Sequence, residues 1–322
     1  MTEQAKTQKE EDGQRVQGED PPDKKRGRQV ADNRKRRLGD RRDGRRLRTI
    51  PPYNALTPYI MKTKNDANNF FSDSVEISEA ENYLRAKRLN GYPGMGLLHL
   101  FIAAYIRVAS QYPGINRFIS GQRIFARYDI VYVMTIKKEM KTEAGETTIK
   151  VVFDPRDTID DVYRKLNAEL AKVKEEGEDT DTDDVAKTLM KMPRLILKFC
   201  IYFLGLLDYF GKIPMSLINA SPFHGSMIIT DLGSIGIPPI YHHLYNFGNM
   251  PLFAAFGTKR KSLELKAGGE VIERKYLDYK IVVDERICDG FYFSQAFRLF
   301  KQLLRKPEVL DAPPEIVVED VE

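Results

Sequence analysis

The chain has 322 residues, 42% hydrophobic and 10% aromatic, enough to bury a full core in one large domain or two small ones. Its formal charge of +5 is uneven: residues 1–50 carry 16 Lys and Arg against 10 Asp and Glu, leaving 35 against 36 beyond them, so the basicity that would suggest a nucleic-acid-coating protein belongs to a tail. Two distant cysteines, Cys200 and Cys288, make neither a disulfide framework nor a metal-ligand cluster, and fit a reducing, cytoplasmic setting.

Residues 1–50 hold almost no large apolar side chains and are expected to be a disordered basic arm. The stretch from Lys24 to Arg48 is dense in arginine and would attract a polyanion. No aromatic residues interleave the arginines for base stacking, so a solubilising or assembly arm is the plainer reading. The N-terminus has no apolar run, which argues against a secretory signal, and its interspersed acids argue against a transit peptide.

The domain is expected over residues 51–310. Ser78 to Glu81 has the spacing of a capping box and opens a helix to Leu89. A second helix is predicted over 95–111, with Leu98, Phe101, Ile102, Tyr105 and Val108 at helical spacing and Pro113 beyond its end. Ile124 to Ile136 reads as one β-branched strand, returning through a turn at Glu143 to Glu146 as Thr147 to Phe153, a hairpin. Thr158 caps a helix to about Lys174, and an acidic loop follows over about 175–185. The most apolar stretch, Leu195 to Leu207, is interrupted by Lys198 and closed by Asp208. It is shorter than the roughly 20 residues that cross a membrane, so it reads as a buried helix and no membrane partner is expected. Short strands are expected around Ser226–Thr230, Phe253–Gly257 and Tyr279–Asp284, then a closing helix over Phe291–Arg305 and an acidic tail over 311–322. The mixture of helices and strands, with no internal repeat, predicts a two-layer α/β domain with a mixed sheet.

Three late segments are more specific. His224 to Gly236 is a strand with glycine and serine before it, ending Thr230-Asp231-Leu232-Gly233; Pro251 to Gly257 is an apolar strand closing on glycine; Asp284-Glu285-Arg286-Ile287-Cys288-Asp289-Gly290 precedes a helix. In order and spacing they resemble the catalytic domain of the 2-oxoacid dehydrogenase dihydrolipoyl acyltransferases, which shares the chloramphenicol acetyltransferase-like fold. The last segment is similar to that family's Asp-His-Arg-x-x-Asp-Gly signature and matches four of its five assigned positions.

The resemblance implies transfer of an acyl group between coenzyme A, as a substrate rather than a bound cofactor, and a thiol of a lipoyl group. A thiol attacking a thioester needs a base to make thiolate and a donor to meet the oxyanion. It implies Thr230 as oxyanion donor, Asp289 as the carboxylate that holds the loop, and Gly233 and Arg286 as substrate-contacting residues. Glu285 stands where the family has its histidine base. A solvated glutamate is about four pKa units too weak to deprotonate a thiol, and its charge opposes thiolate and oxyanion alike. The activity implied by the resemblance is therefore expected to be lost or weakened.

Four histidines remain: His99 reads as a helix residue without chemistry, and His224 lies roughly 20 Å along an extended strand from Thr230. His242 and His243, in a proline-bounded segment, read first as loop packing, with His242 the one that could reach a substrate channel. No metal site is expected. The resemblance implies a homotrimer, or a larger cage, with a lipoyl-bearing protein or a dehydrogenase component acting in trans, since the charged arm occupies the place of a lipoyl domain. The alternative is a catalytically inactive, trimeric or cage-forming scaffold whose arm binds an anionic partner.

Overall fold

A computed structural model describes residues 36–137, 146–176 and 187–322. Strands β1 (Gly44–Arg46), β3 (Arg117–Ser120) and β4 (Arg123–Arg127) form a small antiparallel sheet in the order β1-β4-β3. The main sheet has six strands, in the spatial order β2 (Asn68–Glu76), β9 (Val271–Asp284), β8 (Leu252–Leu265), β7 (Met227–Asp231), β5 (Ile130–Lys137) and β6 (Glu146–Phe153). β7 runs parallel to both of its neighbours and the other pairs are antiparallel, so the sheet is mixed, as the sequence implied.

Alternation along the strands gives the sheet two unlike faces. The row Phe71–Ile281–Ala254–Ile229 crosses four strands in register; the last three are buried in the core and Phe71, partly buried, packs against it. Helices α2 (Ser78–Leu89), α3 (Leu97–Gln111), α4 (Ile159–Glu176) and α7 (Gly290–Arg305) pack against that face and one another. Phe101 of α3 meets Phe256 with ring centroids 4.4 Å apart and Phe300 of α7 at 5.3 Å, which fixes α3 at the centre of the helical layer. Further helices among the described residues are α1 (Pro52–Ile60), α5 (Arg194–Tyr209) and α6 (Met215–Ala220), and 187–190 are helical as well.

Several sequence expectations are corrected. The fold does not begin at residue 51: β1 pairs with β4, Leu47 is buried, and Arg41 is inside the protein. Residues 1–35 of the arm lie outside the described residues. Nor is 311–322 a free tail. Val318 N–H donates to Ser110 O at 2.8 Å, Arg117 pairs with the Asp320 carboxylate, and the N–H groups of Arg48 and Thr49 donate to Glu322 O. The segment 45–49 thus lies beside the last three residues, which accept its backbone and side-chain N–H groups.

Ser78 is the first helical residue rather than the cap, and its N–H is taken by Glu76 Oε1 at 2.9 Å, so the capping box does not form. At α4 the reciprocal cap does form: Thr158 N–H donates to Asp161 Oδ2 at 2.9 Å and Asp161 N–H to Thr158 Oγ1 at 3.3 Å. The strand expected over 124–136 is two strands in different sheets, broken at Tyr128 and Asp129. The two short strands expected near 253 and 279 are the inner ends of one long hairpin, β8 and β9, which turns at Lys266 to Glu270. Of the acidic loop, 177–186 lies outside the described residues. The largest correction is α5, expected to be buried: Leu195 is 80% exposed, Phe199 65% and Tyr202 68%, and Asp208 is the one buried residue of that helix.

Candidate functional site

Thr230 follows Ile229, so its side chain is on the opposite face of the sheet from the helices. Its row in register is Thr230–Ala255–Lys280–Ser72. The neighbouring row on that face is apolar, Ile228–Phe253–Val282–Phe70. Segment 237–245 crosses both rows. His242 stacks flat on Phe253, with centroids 4.2 Å apart and planes 8° apart, and Tyr241 sits edge-on to Phe70 at 5.3 Å with Lys280 Nζ 4.7 Å from its ring. Thr230, His242 and Lys280 therefore share one face, and Lys280 is a member that sequence reasoning missed. Burial, with the neighbouring His243, lowers the pKa of His242, so the imidazole is held neutral against Phe253.

The turn after β7 explains Gly233. A Cβ there would lie 2.5 Å from Gly257 O, so only glycine lets β7 and β8 close at this point. Gly257 is equally constrained by Pro239, 2.4 Å from where its own Cβ would be. Leu232 N–H donates to Phe256 O, Ile237 N–H to Leu232 O and Thr258 N–H to Ile237 O, a ladder that ties segment 237–245 to the strand carrying Thr230. The structure thus gives Gly233 a packing reason.

The Asp284 to Asp289 loop is built around a buried ion pair. Arg286 donates from Nε to Asp284 Oδ1 at 2.8 Å and from Nη2 to Oδ2 at 2.7 Å, a two-pronged pairing, and from Nη1 to the carbonyls of Met61 and Lys62. Every nitrogen of the guanidinium has a partner within the subunit, so Arg286 shapes this loop. Asp289 accepts from Tyr292 N–H at 2.8 Å and caps α7, holding the loop at its far end. Between them Glu285 donates its N–H to Ala67 O at 2.8 Å and is exposed, flanked by buried Asp284 and Arg286. Behind the loop Lys64 donates to Tyr245 O at 2.9 Å and Gly248 O at 2.7 Å, and desolvation lowers its pKa to about 7 against the pull of Asp284.

The register also sets how far apart these groups are. Thr230 and Lys280 are two strands apart, and Glu285 lies five residues past Lys280, so Thr230 and Glu285 of one chain are on the order of 20 Å apart. One subunit does not bring them to a shared reacting atom.

A second polar cluster was invisible in the sequence. Arg41 donates from Nε to Asp43 Oδ1 at 2.8 Å, from Nη2 to Asp208 Oδ1 at 2.7 Å, and from Nη1 to Ser120 Oγ and Asp208 O. Asn249 links Asp43 to Arg127, whose guanidinium lies 4.3 Å over the Phe118 ring. His224 Nε2 stands 3.4 Å from Asp208 Oδ1 and its Nδ1 is 2.8 Å from Ser221 Oγ, so this histidine belongs to the cluster and not to the face with Thr230. Burial would raise the Asp208 carboxyl, but His224 and Arg41 outweigh it and bring it down to about 2. His99 is a buried helix residue whose Nδ1 accepts from Gly96 N–H at 3.2 Å. Cys288 is buried and its thiol is pushed well up by desolvation, which keeps it unreactive.

A mixed six-stranded sheet with helices on one face and a short Asp-capped loop leading into the last helix is the chloramphenicol acetyltransferase-like fold, the fold of dihydrolipoamide acetyltransferase catalytic cores. Among solved structures, the chain is similar to the dihydrolipoamide acetyltransferase of Azotobacter vinelandii, at 13% identity and a TM-score of 0.50 over 82% of this chain and 93% of that one. It is also similar to a truncated catalytic core of the 2-oxoacid dehydrogenase multienzyme complex from Thermoplasma acidophilum, at 12% identity and a TM-score of 0.49 over 81% of this chain and 98% of that one. A chloramphenicol acetyltransferase gives 13% identity and a TM-score of 0.46 over 78% and 94%. No protein-family model and no curated protein matches the sequence.

Proposed function

We propose that this chain is an acyltransferase-fold subunit that binds a coenzyme A thioester and a thiol acceptor, with Thr230 as the oxyanion donor and Glu285 in the position of the base. The observation that carries the reading is Thr230 on the sheet face away from the helical layer, in the fold of the acetyltransferase cores. The Azotobacter protein's catalytic mechanism was investigated through a serine, a histidine and an asparagine, the last two four positions apart, as Glu285 and Asp289 are here. That spacing supports assigning Glu285 to the place of the histidine and Asp289 to that of the asparagine. The separation of Thr230 from Glu285 within one chain supports an assembly, a homotrimer or a larger cage, in which the two come from different subunits.

A second reading has its own observation. The buried Asp284–Arg286 pair and the Asp289 cap shape the loop without any contribution from the Glu285 side chain. That supports a scaffold that keeps the architecture while its chemistry is gone, with a lipoyl-bearing protein, a dehydrogenase component or a polyanion as partner.

The test is thiol release from acetyl coenzyme A with dihydrolipoamide as acceptor, comparing wild type, Glu285→Gln and Glu285→His. Losing a general base costs about 100- to 10,000-fold, so Glu285→His should exceed wild type by a factor in that range if the site is otherwise intact. Turnover by wild type that Glu285→Gln abolishes would make Glu285 a working base. Activity in none of the three would sink the acyltransfer reading and leave the scaffold.

A further inference from the structure

Among the described residues helix α5 has no partner that accounts for its composition. A helix apolar on most of its surface belongs in an interior, yet Leu195, Ile196, Phe199, Tyr202, Phe203 and Leu206 are exposed. Its C-terminal end is fixed: Asp208 is held by Arg41, and a Cβ on Gly121 would strike Tyr209 O at 2.3 Å. The helix is thus a rigid feature with an uncovered apolar surface.

Its charges say what covers it. From Lys187 to Lys212 the chain has the bases Lys187, Lys191, Arg194, Lys198 and Lys212, and one acid, Asp208, which is buried against Arg41. From Lys187 to Lys212 the exposed charge is positive, after an acidic run from Glu175 to Asp184 that precedes it in the chain. Two such segments packed on each other would set cation against cation, whereas a negatively charged lipid surface complements both the lysines and the apolar side chains. At 16 residues α5 is about 24 Å long, short of the roughly 30 Å hydrocarbon core, and among the described residues no helix is long and apolar enough to cross a membrane. A helix of this kind lies in the interface, with Leu and Phe in the acyl boundary and Lys and Arg at the headgroups.

We propose that α5 is an in-plane membrane anchor, with Ile196, Phe199, Phe203 and Leu206 entering the lipid and Lys191, Arg194 and Lys198 meeting anionic headgroups. The protein therefore works at an anionic membrane surface, independently of whether the acyl-transfer site is active.

Co-sedimentation of the full chain with phosphatidylcholine vesicles, and with vesicles containing phosphatidylserine as well, tests this. Binding is expected with the anionic vesicles, reduced about tenfold or more by Phe199→Glu/Phe203→Glu, since each substitution puts a charge where an apolar side chain would enter lipid. That variant keeps the basic arm, so unchanged binding would mean that the arm alone attracts the vesicles and would overturn the proposal. So would an absence of binding by wild type. Light scattering decides the rival occupant: if wild type ignores vesicles and the double substitution breaks up its assembly, α5 is covered by a second copy of the chain. An unchanged melting temperature keeps misfolding out of either result.

Discussion

Helices α3 and α5 are nearly the same length and both are rich in Leu, Ile and Phe, yet they have opposite fates. From His99 to Ser110 every residue of α3 is buried, wedged between the sheet, α4 and α7. In α5 the one buried residue is charged, and the apolar ones face out. Apolar content predicts that a helix will be covered; it does not say by what. α3 is covered by its own chain because the Phe71–Ile281–Ala254–Ile229 row offers it a complementary apolar face. That face carries α2, α3, α4 and α7, and among the described residues α5 has no comparable surface against it.

The largest effect that would sharpen this contrast comes from α3. Phe101→Ala should cost about 3–5 kcal/mol of unfolding free energy in urea titration, because the ring fills space between Phe256 and Phe300 that the layer cannot close. A cost under about 1 kcal/mol would mean that α3 is not the centre of the core. Next is the charged foot of α5: Asp208→Asn should cost about 3 kcal/mol, since it leaves the buried Arg41 with an incomplete set of partners. This effect has a pH signature. The folded carboxyl titrates at about 2, below its ordinary 3.8, so its contribution is complete above about pH 4 and is lost as pH falls towards 2. The variant should lack that acid-dependent limb, while wild type shows it. The smallest effect should come from the apolar face itself. Phe199→Ala should change stability in solution by no more than about 0.5 kcal/mol, because the ring touches little that is lost. A large loss would show that α5 is covered by protein already.

Much of the fold could be read from local pattern. The β5–β6 hairpin follows from β-branched runs, α4 from Thr158 and Asp161 closing a cap on each other, and α7 from Asp289 preceding glycine. Each of these signals operates over a few residues. The failures needed distant partners. Arg41 looked like one more arginine of a basic arm, because its partner Asp208 lies 167 positions away. Asp320 looked like part of an acidic tail until Arg117 was beside it. At the candidate site, Thr230, Glu285 and Asp289 were singled out from motif order, and the structure places Asp289 as the cap of α7. The engagement of Arg286 with Asp284 and the place of Lys280 beside Thr230 were not, because they depend on loop closure and cross-strand register.

The sequence by itself determined the α/β alternation, the glycine that closes the turn after Thr230, the absence of a histidine at position 285, and the run of bases from Lys187 to Lys198 at the start of the most apolar helix. Those are properties of composition and short-range geometry, which no fold can alter. Tertiary structure decided which charges are buried, which sheet face carries Thr230, and which of two similar helices becomes core. Burial depends on a second surface, and the second surface of α3 is assembled from strands up to 180 residues away in the chain.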